Sequence, residues 1–402
     1  MIEARIEKMV GEFRAGASVP AAIELWNGKR YDLGRQPTVT LRLPGPTALR
    51  YFVNADLAKL AEAYIEGHLE VTGPMAEAMR VAEGLAMHWG PARKGRLPAF
   101  FRSAHSKTRD AEAIRYHYDV SNDFYALWLD ARMVYSCAYY RTGAEDIATA
   151  QEQKLEHICR KLMLKPADRL LDIGCGWGAL VMHAAQRYGA RAVGITLSKN
   201  QHALANERIR AAGLEDRCEV RIQDYRDVPG EGVFDKIASI GMFEHVGLNN
   251  LPKYFGAIRR LLADGGIVLN HGITSVDPDS RAVAMGGGEF IEKYVFPHGQ
   301  LPHLSRVIRE MGAAGLEVMD SETLRLHYAK TLQQWSDRLE ANLEKAEAFA
   351  GARRLRIWRT YLAGCAHAFE RGWVSIQQVL AVKSGGPERN PLPWTRDYMY
   401  GG

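Results

Sequence analysis

From residue 167 onward the chain alternates short apolar runs with amphipathic stretches. Five runs, ADRLLDIG, ARAVGITL, CEVRIQD, FDKIASIG and GGIVLNHG, read as strands. Helical spacing lies between them, at Ala179–Arg187 and Lys199–Ala212. Strands alternating with helices predict an α/β fold with a doubly wound, mostly parallel, Rossmann-like sheet. Such a sheet binds its ligand at the carboxyl ends of the strands. Residues 329–382 read as mostly helical.

The pattern before residue 110 is different. Ala22–Leu33 and Thr38–Leu43 read as short strands, broken by Asn27-Gly28 and by Pro44-Gly45-Pro46. Asp56–Glu66 reads as a helix capped by Asp56, with Leu57, Leu60, Ala61 and Tyr64 on one face. The expected organisation is an α+β unit at 1–84, a basic linker at 85–109, a main domain at 110–383 and a tail at 384–402. The linker holds six basic residues, no acid, and Trp89, Phe100 and Phe101. It reads as a solvated connector, or as a segment that meets anionic lipid headgroups. The tail, with Trp394, Tyr398 and Tyr400, reads as an extended docking arm.

Composition narrows the class. Hydrophobic residues make up 47% and charged residues 25% of 402, the balance of a globular chain with a sizeable core. The formal charge of +5 is too mild to single out nucleic acid. The longest stretch without Asp, Glu, Lys or Arg, Ile173–Gln186, is fourteen residues and carries three glycines. A membrane span needs ~20 apolar residues, so none is expected. The opening MIEARIEKMVGEF mixes both charges and has no apolar h-region, which predicts no secretory signal. Five scattered cysteines (Cys137, Cys159, Cys175, Cys218, Cys365) lack metal-site spacing and suit a reducing cytoplasm.

The candidate chemistry starts at LLDIGCGWGA. Gly174, Gly176 and Gly178 lie between a strand and a helix, where backbone can approach a ligand closely. NAD, FAD and S-adenosylmethionine (SAM) sites all use such a turn. Two details favour SAM: Asp172 precedes the glycines, and the spacing is G-x-G-x-G rather than G-x-G-x-x-G. The end of the next strand, GITLSKNQ, lacks an acid for the ribose hydroxyls and offers Thr196, Ser198 and Gln201 instead. Asp224 is a candidate acceptor for the adenine amino group, or a turn residue.

Eight motifs then converge in order: HYDVSNDFYALWLD, YSCAYY, LLDIGCGWG, GITLSKNQ, FEHVG, KYVFPHGQLP, HYAKTLQQW and LAGCAHAFERG. Over residues 110–383 the chain resembles the cyclopropane-fatty-acyl-phospholipid synthases and the mycolic acid cyclopropane synthases, SAM-dependent methyltransferases of class I fold. AYIEGHLEVTG in the N-terminal unit is similar to the extra, sterol-carrier-like domain of the phospholipid-acting branch. The resemblance implies that Tyr118, Tyr135 and Ser136 close over the cofactor, with Gly174 and Gly176 beneath it. It implies Thr196, Leu197 and Gln201 on the ribose side, and Asp224 and Tyr225 on the adenine side. It also implies a bicarbonate ion held by Cys137, Glu244, His271, Ile273 (through backbone) and Tyr328. Cys365 sits in a motif whose cysteine has been proposed for the active site. A homodimer is a further implication.

The chemistry gives those residues a purpose. An alkene is a poor nucleophile, and only a strong electrophile such as a sulfonium methyl will methylate it. The attack leaves a cation, and ring closure then needs a base within about 3 Å of the added methyl. A free carboxylate beside that cation would collapse onto it, whereas a small caged anion is less reactive. Tyr294 and Phe296 are candidate ring faces for the cation, worth about 1–2 kcal/mol, or ordinary core residues. Plainer readings stay open at this stage. His271 ends a strand, Glu244-His245 suits a helix start, and Cys365 lies among apolar helical residues that favour an inert thiol.

The expected function is methylene transfer from SAM to a cis double bond of a membrane phospholipid. The protein would sit peripherally on the inner, anionic face of the membrane. A methyl-branched product, a carrier-bound acyl chain, and a non-catalytic lipid-binding role are the alternatives.

Overall fold

The computed structural model describes residues 19–52, 56–89, 121–280, 287–296, 299–384 and 390–401, with scattered positions between 7 and 14. In chain order these form β1 (Ala21–Glu24), β2 (Arg30–Asp32), β3 (Val39–Arg42), α1 (Leu57–Ile65), β4 (Glu70–Thr72) and α2 (Met75–Trp89). Next come α3 (Asn122–Ala126), α4 (Ile147–Lys161), β5 (Arg169–Ile173), α5 (Ala179–Tyr188), β6 (Arg191–Thr196), α6 (Lys199–Ala211), β7 (Cys218–Ile222) and β8 (Phe234–Ile240). The remainder is α7 (Leu251–Leu261), β9 (Leu262–Ser275), α8 (Gly287–Tyr294), α9 (Leu304–Ala313), β10 (Glu317–Thr323), α10 (Arg325–Glu340), α11 (Leu343–Ala350), α12 (Ala352–Glu370), β11 (Val374–Val382) and α13 (Asp397–Tyr400).

The chain divides into two compact units that are not contiguous in sequence. The first comprises 1–99, 283–297 and 332–371. Its four-stranded sheet has the order β2-β1-β3-β4. Asp56 caps α1 as expected, accepting from the Lys59 amide at 2.8 Å. The expected boundaries gave 110–383 to one domain, yet α12 belongs with the N-terminal core, into which Ala363 packs. Charge ties it there too. His367 and Arg371 meet Glu83 at 2.9 and 3.0 Å, and Arg353 meets Glu66 at 2.7 Å. Arg356 donates to the Tyr64 carbonyl, while Arg359 pairs with Glu340. The basic cluster 353–359 therefore spends three of its arginines on partners inside this unit.

The second unit carries a seven-stranded sheet of order β10-β11-β9-β8-β5-β6-β7. β7, β6, β5, β8 and β9 run parallel, as the alternating pattern predicts. The order reverses at β5, which pairs with β6 on one side and β8 on the other. That is the switch point where such sheets open a crevice. Two strands escape the sequence pattern. β11 falls inside the stretch expected to be helical, and every one of its nine residues is buried. A run buried on all sides has no period to separate strand from helix. It pairs antiparallel with both β9 and β10, and so extends the sheet past its parallel part. Among the described residues no helix is long and apolar enough to cross a membrane.

Candidate active site

The glycine turn follows β5 into the crevice. Gly174, Gly176 and Gly178 all have positive φ, at 81°, 55° and 80°. L side chains rarely adopt that conformation, which accounts for three glycines in five residues. A Cβ at 174 would press on Met242 at 3.0 Å, and one at 178 on Ala205 at 3.2 Å. A Cβ at 176 would meet nothing within 4 Å, because that residue faces the open cleft. Gly178 does not line the cleft; it starts α5 in a left-handed conformation. The cleft is lined by Asp172, Gly174, Gly176, Thr196, Leu197 and Gln201, and by Asp224 and Tyr225 after β7. Thr196 donates its hydroxyl to Gln201 at 2.7 Å, so these two are held as one unit. Asp224 is gripped by Arg226, whose guanidinium reaches it at 2.6 and 2.8 Å.

The opposite wall is the loop that carries Tyr135, Ser136 and Cys137, and α4 holds it in place. Buried Gln151 donates to the carbonyl of Ser136 at 2.9 Å. Lys154 donates to the Ser136 hydroxyl at 3.0 Å. On the far side of the loop, Thr331 accepts from the Ala138 amide and His327 Nδ1 from the Tyr140 amide, both at 3.0 Å. Tyr135 lies in a ring cluster with Tyr125 and Trp128, at 5.7 and 5.4 Å between centroids. Sequence reading passed over α4. Its signal is a polar stripe, Gln151, Lys154, His157 and Lys161, at helical spacing and wholly buried.

A second cluster sits at the carboxyl end of β8 and on β9. Glu244 follows β8 in a short helical turn and accepts from the Ile273 amide at 2.6 Å. Gly272 makes this approach available. A Cβ there would lie 1.9 Å from the Phe243 ring and 3.1 Å from Glu244 Oε1. Burial pushes the Glu244 carboxyl up to about 7, against the Ile273 amide, which favours the charged form. His271, two residues back on the same face of β9, has the Gln378 amide 3.3 Å from its Nδ1. With that amide donating, the ring carries its proton on Nε2. Burial, then the charges of Lys154 and Lys161, hold His271 well below the usual imidazole range, so it is neutral. Both Glu244 Oε2 and His271 Nε2 are buried without a hydrogen-bond partner. Two unpartnered polar atoms in a dry site, one a donor and one a carboxyl oxygen near its titration point, fit a small oxyanion such as bicarbonate.

The remaining expected residues divide. Cys137 is fully buried, and its thiol lies against the carbonyls of Ala138 and Leu324. Burial raises its pKa, so it is no thiolate at neutral pH. Tyr328 lies one helical turn beyond Leu324, on the side of α10 from which Thr331 meets this loop. Tyr118 falls outside the described residues. Cys365, Tyr294 and Phe296 belong to the first unit. Burial pushes the Cys365 thiol up to about 12, which fits the inert reading. Phe296 packs edge-on against Tyr361 at 6.0 Å, and Tyr294 against Phe290 at 5.7 Å. These are contacts of ordinary packing.

The chain is similar to known proteins over most of its length. Residues 105–379 match the family model of the mycolic acid cyclopropane synthetases, and residues 10–86 match a domain of unknown function. A probable fatty acid methyltransferase of Pseudomonas putida is 50% identical over 95% of this chain and 96% of its own. The cyclopropane-fatty-acyl-phospholipid synthase of Escherichia coli K12 is 39% identical over 66% of each chain. Among solved structures, mycolic acid cyclopropane synthase CmaA1 complexed with SAH and CTAB has a TM-score of 0.65 at 34% identity. It covers 68% of this chain and 98% of its own.

One substitution separates the two halves of the site. Gly272→Ala forces Phe243 and Glu244 off β9 and leaves the glycine turn after β5 untouched. It should lower turnover about 100-fold, the scale of an ångström of misplacement at a reacting centre. SAM affinity, read by calorimetry, should change less than about threefold.

Proposed function

The chain belongs to the mycolic acid cyclopropane synthetase family, and from that premise we propose the acceptor and the exit of its reaction. It is a SAM-dependent lipid methyltransferase. The proposed acceptor is the cis double bond of an unsaturated phospholipid acyl chain, and the proposed product is a cyclopropane. The observation that carries this reading is the buried Glu244–Ile273–His271 cluster at the strand ends beside the cofactor cleft.

When bound, SAM supplies an electrophilic methyl, and a bicarbonate ion supplies a weak base. The chain's own part is to hold charge in a dry place. His271 offers an Nε2 proton and, being neutral, adds no positive charge near a developing cation. Glu244 is tied by one oxygen to the Ile273 amide, which leaves the other to orient an anion. Its raised pKa keeps much of it protonated at neutral pH, so it is a poor nucleophile toward the cation. Cys137 and Tyr328 complete the proposed cage, the first through loop backbone and the second through its hydroxyl.

A second reading has its own support. A relative that matches 95% of this chain, the N-terminal unit included, is named a probable fatty acid methyltransferase. Proton loss from a chain carbon, rather than from the added methyl, would give a methyl-branched alkene of equal mass. We further propose peripheral binding to the inner, anionic face of the membrane by a homodimer. The basic stretch Arg93–Arg109, which lies outside the described residues, is the candidate contact.

Incubation with SAM and vesicles of unsaturated phospholipid should raise the lipid mass by one CH2 unit, about 14 Da, with cyclopropane proton signals in the product. Olefinic signals at that mass would select the branched product. No gain, with SAM bound, would exclude a phospholipid acceptor. Glu244→Gln should keep SAM affinity and lose most turnover. The variant also has a stability signature. The carboxyl titrates near 4.5 unfolded and about 7 folded, so the folded state binds the extra proton between those values. Wild-type stability therefore falls as pH rises through that window, and Glu244→Gln escapes the loss. Thermal melts should show the variant gaining on the wild type from pH 5 to pH 8.

A further inference from the structure

Lys154 is the one charged side chain of α4 that reaches the cofactor cleft. It is 2% exposed, and among the described residues its ammonium donates to the Ser136 hydroxyl at 3.0 Å. Asp172 lines the same cleft, equally buried, with its Oδ1 unpartnered. The two feel each other's charge, yet no ion pair within 4.0 Å joins them. A buried lysine bonded to a neutral hydroxyl, sharing a cleft with a buried carboxylate it does not pair with, is a costly arrangement if no ligand enters the cleft. Burial draws the lysine down to about 8 and pushes the aspartate up to about 7.

The position of the pair tells which end of the cofactor meets it. Thr196 ends β6, Gln201 follows it, and Asp224 and Tyr225 follow β7, at the side of the cleft expected to take the adenosine. The sheet order places β5 next to β6 and away from β7. Asp172 ends β5, and Lys154 flanks it through Ser136. What extends toward them from an adenosine seated over β6 and β7 is the methionyl group. At neutral pH that group is a zwitterion, a carboxylate and an ammonium on one carbon.

We propose that Lys154, steadied by Ser136, binds the α-carboxylate of SAM, while Asp172 accepts from its α-ammonium. Lys154 thereby selects the intact methionyl cofactor over adenosyl compounds that lack the carboxylate. The inference rests on SAM being the molecule in this cleft. It makes the polar stripe of α4 part of the binding site as well as the support of the Tyr135–Cys137 loop.

The test compares two probes, SAM and decarboxylated SAM, which keeps the ammonium and sulfonium and lacks only the carboxylate. Calorimetry on the wild type should give at least about tenfold tighter binding of SAM, as expected for a lost charge-assisted contact in a dry site. In Lys154→Met, a variant of similar shape without the charge, that preference should shrink to about twofold or less, because decarboxylated SAM loses nothing. Ser136→Ala should shrink it in part and serves if Lys154→Met does not fold. Equal wild-type affinity for the two probes would overturn the proposal. So would an equal loss of both probes in Lys154→Met, which would make the lysine a structural counter-charge. Failure of the wild type to bind either probe would instead strike at the cofactor assignment.

Discussion

The short hydrogen bond from the Ile273 amide to Glu244 depends on a missing side chain. Residue 272 is glycine, and any Cβ there would overlap the Phe243 ring. Because the turn after β8 can lie flat on β9, a carboxyl group enters a place from which water is excluded. Burial then sets its charge state near balance at neutral pH, and the same burial keeps His271 neutral. The proposed carbocation chemistry would need this restraint. Full carboxylates would trap the cation, and full positive charges would oppose its formation.

The rest of the second unit brings that restraint to the cofactor. The switch in strand order at β5 opens the crevice, and three glycines of positive φ let backbone line it. β9 is a long strand that pairs with parallel β8 at Leu262 and from Ile267 to His271, and β11 covers its other edge from Ile267 to Ser275. Gln378 of β11 fixes the His271 ring, so an antiparallel addition to the sheet orients a catalytic candidate. On the other wall, α4 turns an unusual stripe of buried polar groups toward the Tyr135–Cys137 loop. Its next two members, His157 and Lys161, pair with Glu322 at 2.7 and 2.6 Å and anchor β10 to the same helix.

Much of this was legible in the sequence, and the reasons are physical. The parallel strands carry a period, and the glycine turn carries a conformation only glycine adopts readily, so both leave marks in one chain. Asp172 and Glu244 stand in motifs whose order is specific. β11 was misread because a strand buried on both faces has no alternation to detect. The discontinuous first unit was not legible, because nothing local in the sequence of α12 says that its arginines will find Glu66, Tyr64 and Glu340 rather than lipid. Lys154 was missed because a lysine in an amphipathic helix ordinarily marks the solvent side. Only the fold shows that this one faces inward.

The central claim is that the cation leaves by losing a proton from the methyl it has just received. SAM carrying a trideuterated methyl group tests it in one spectrum. Cyclopropane formation by that route discards one deuteron, so the lipid should gain about 16 Da. A gain of about 17 Da would mean that the added methyl keeps all three deuterons and the proton comes from the chain, which would contradict the account.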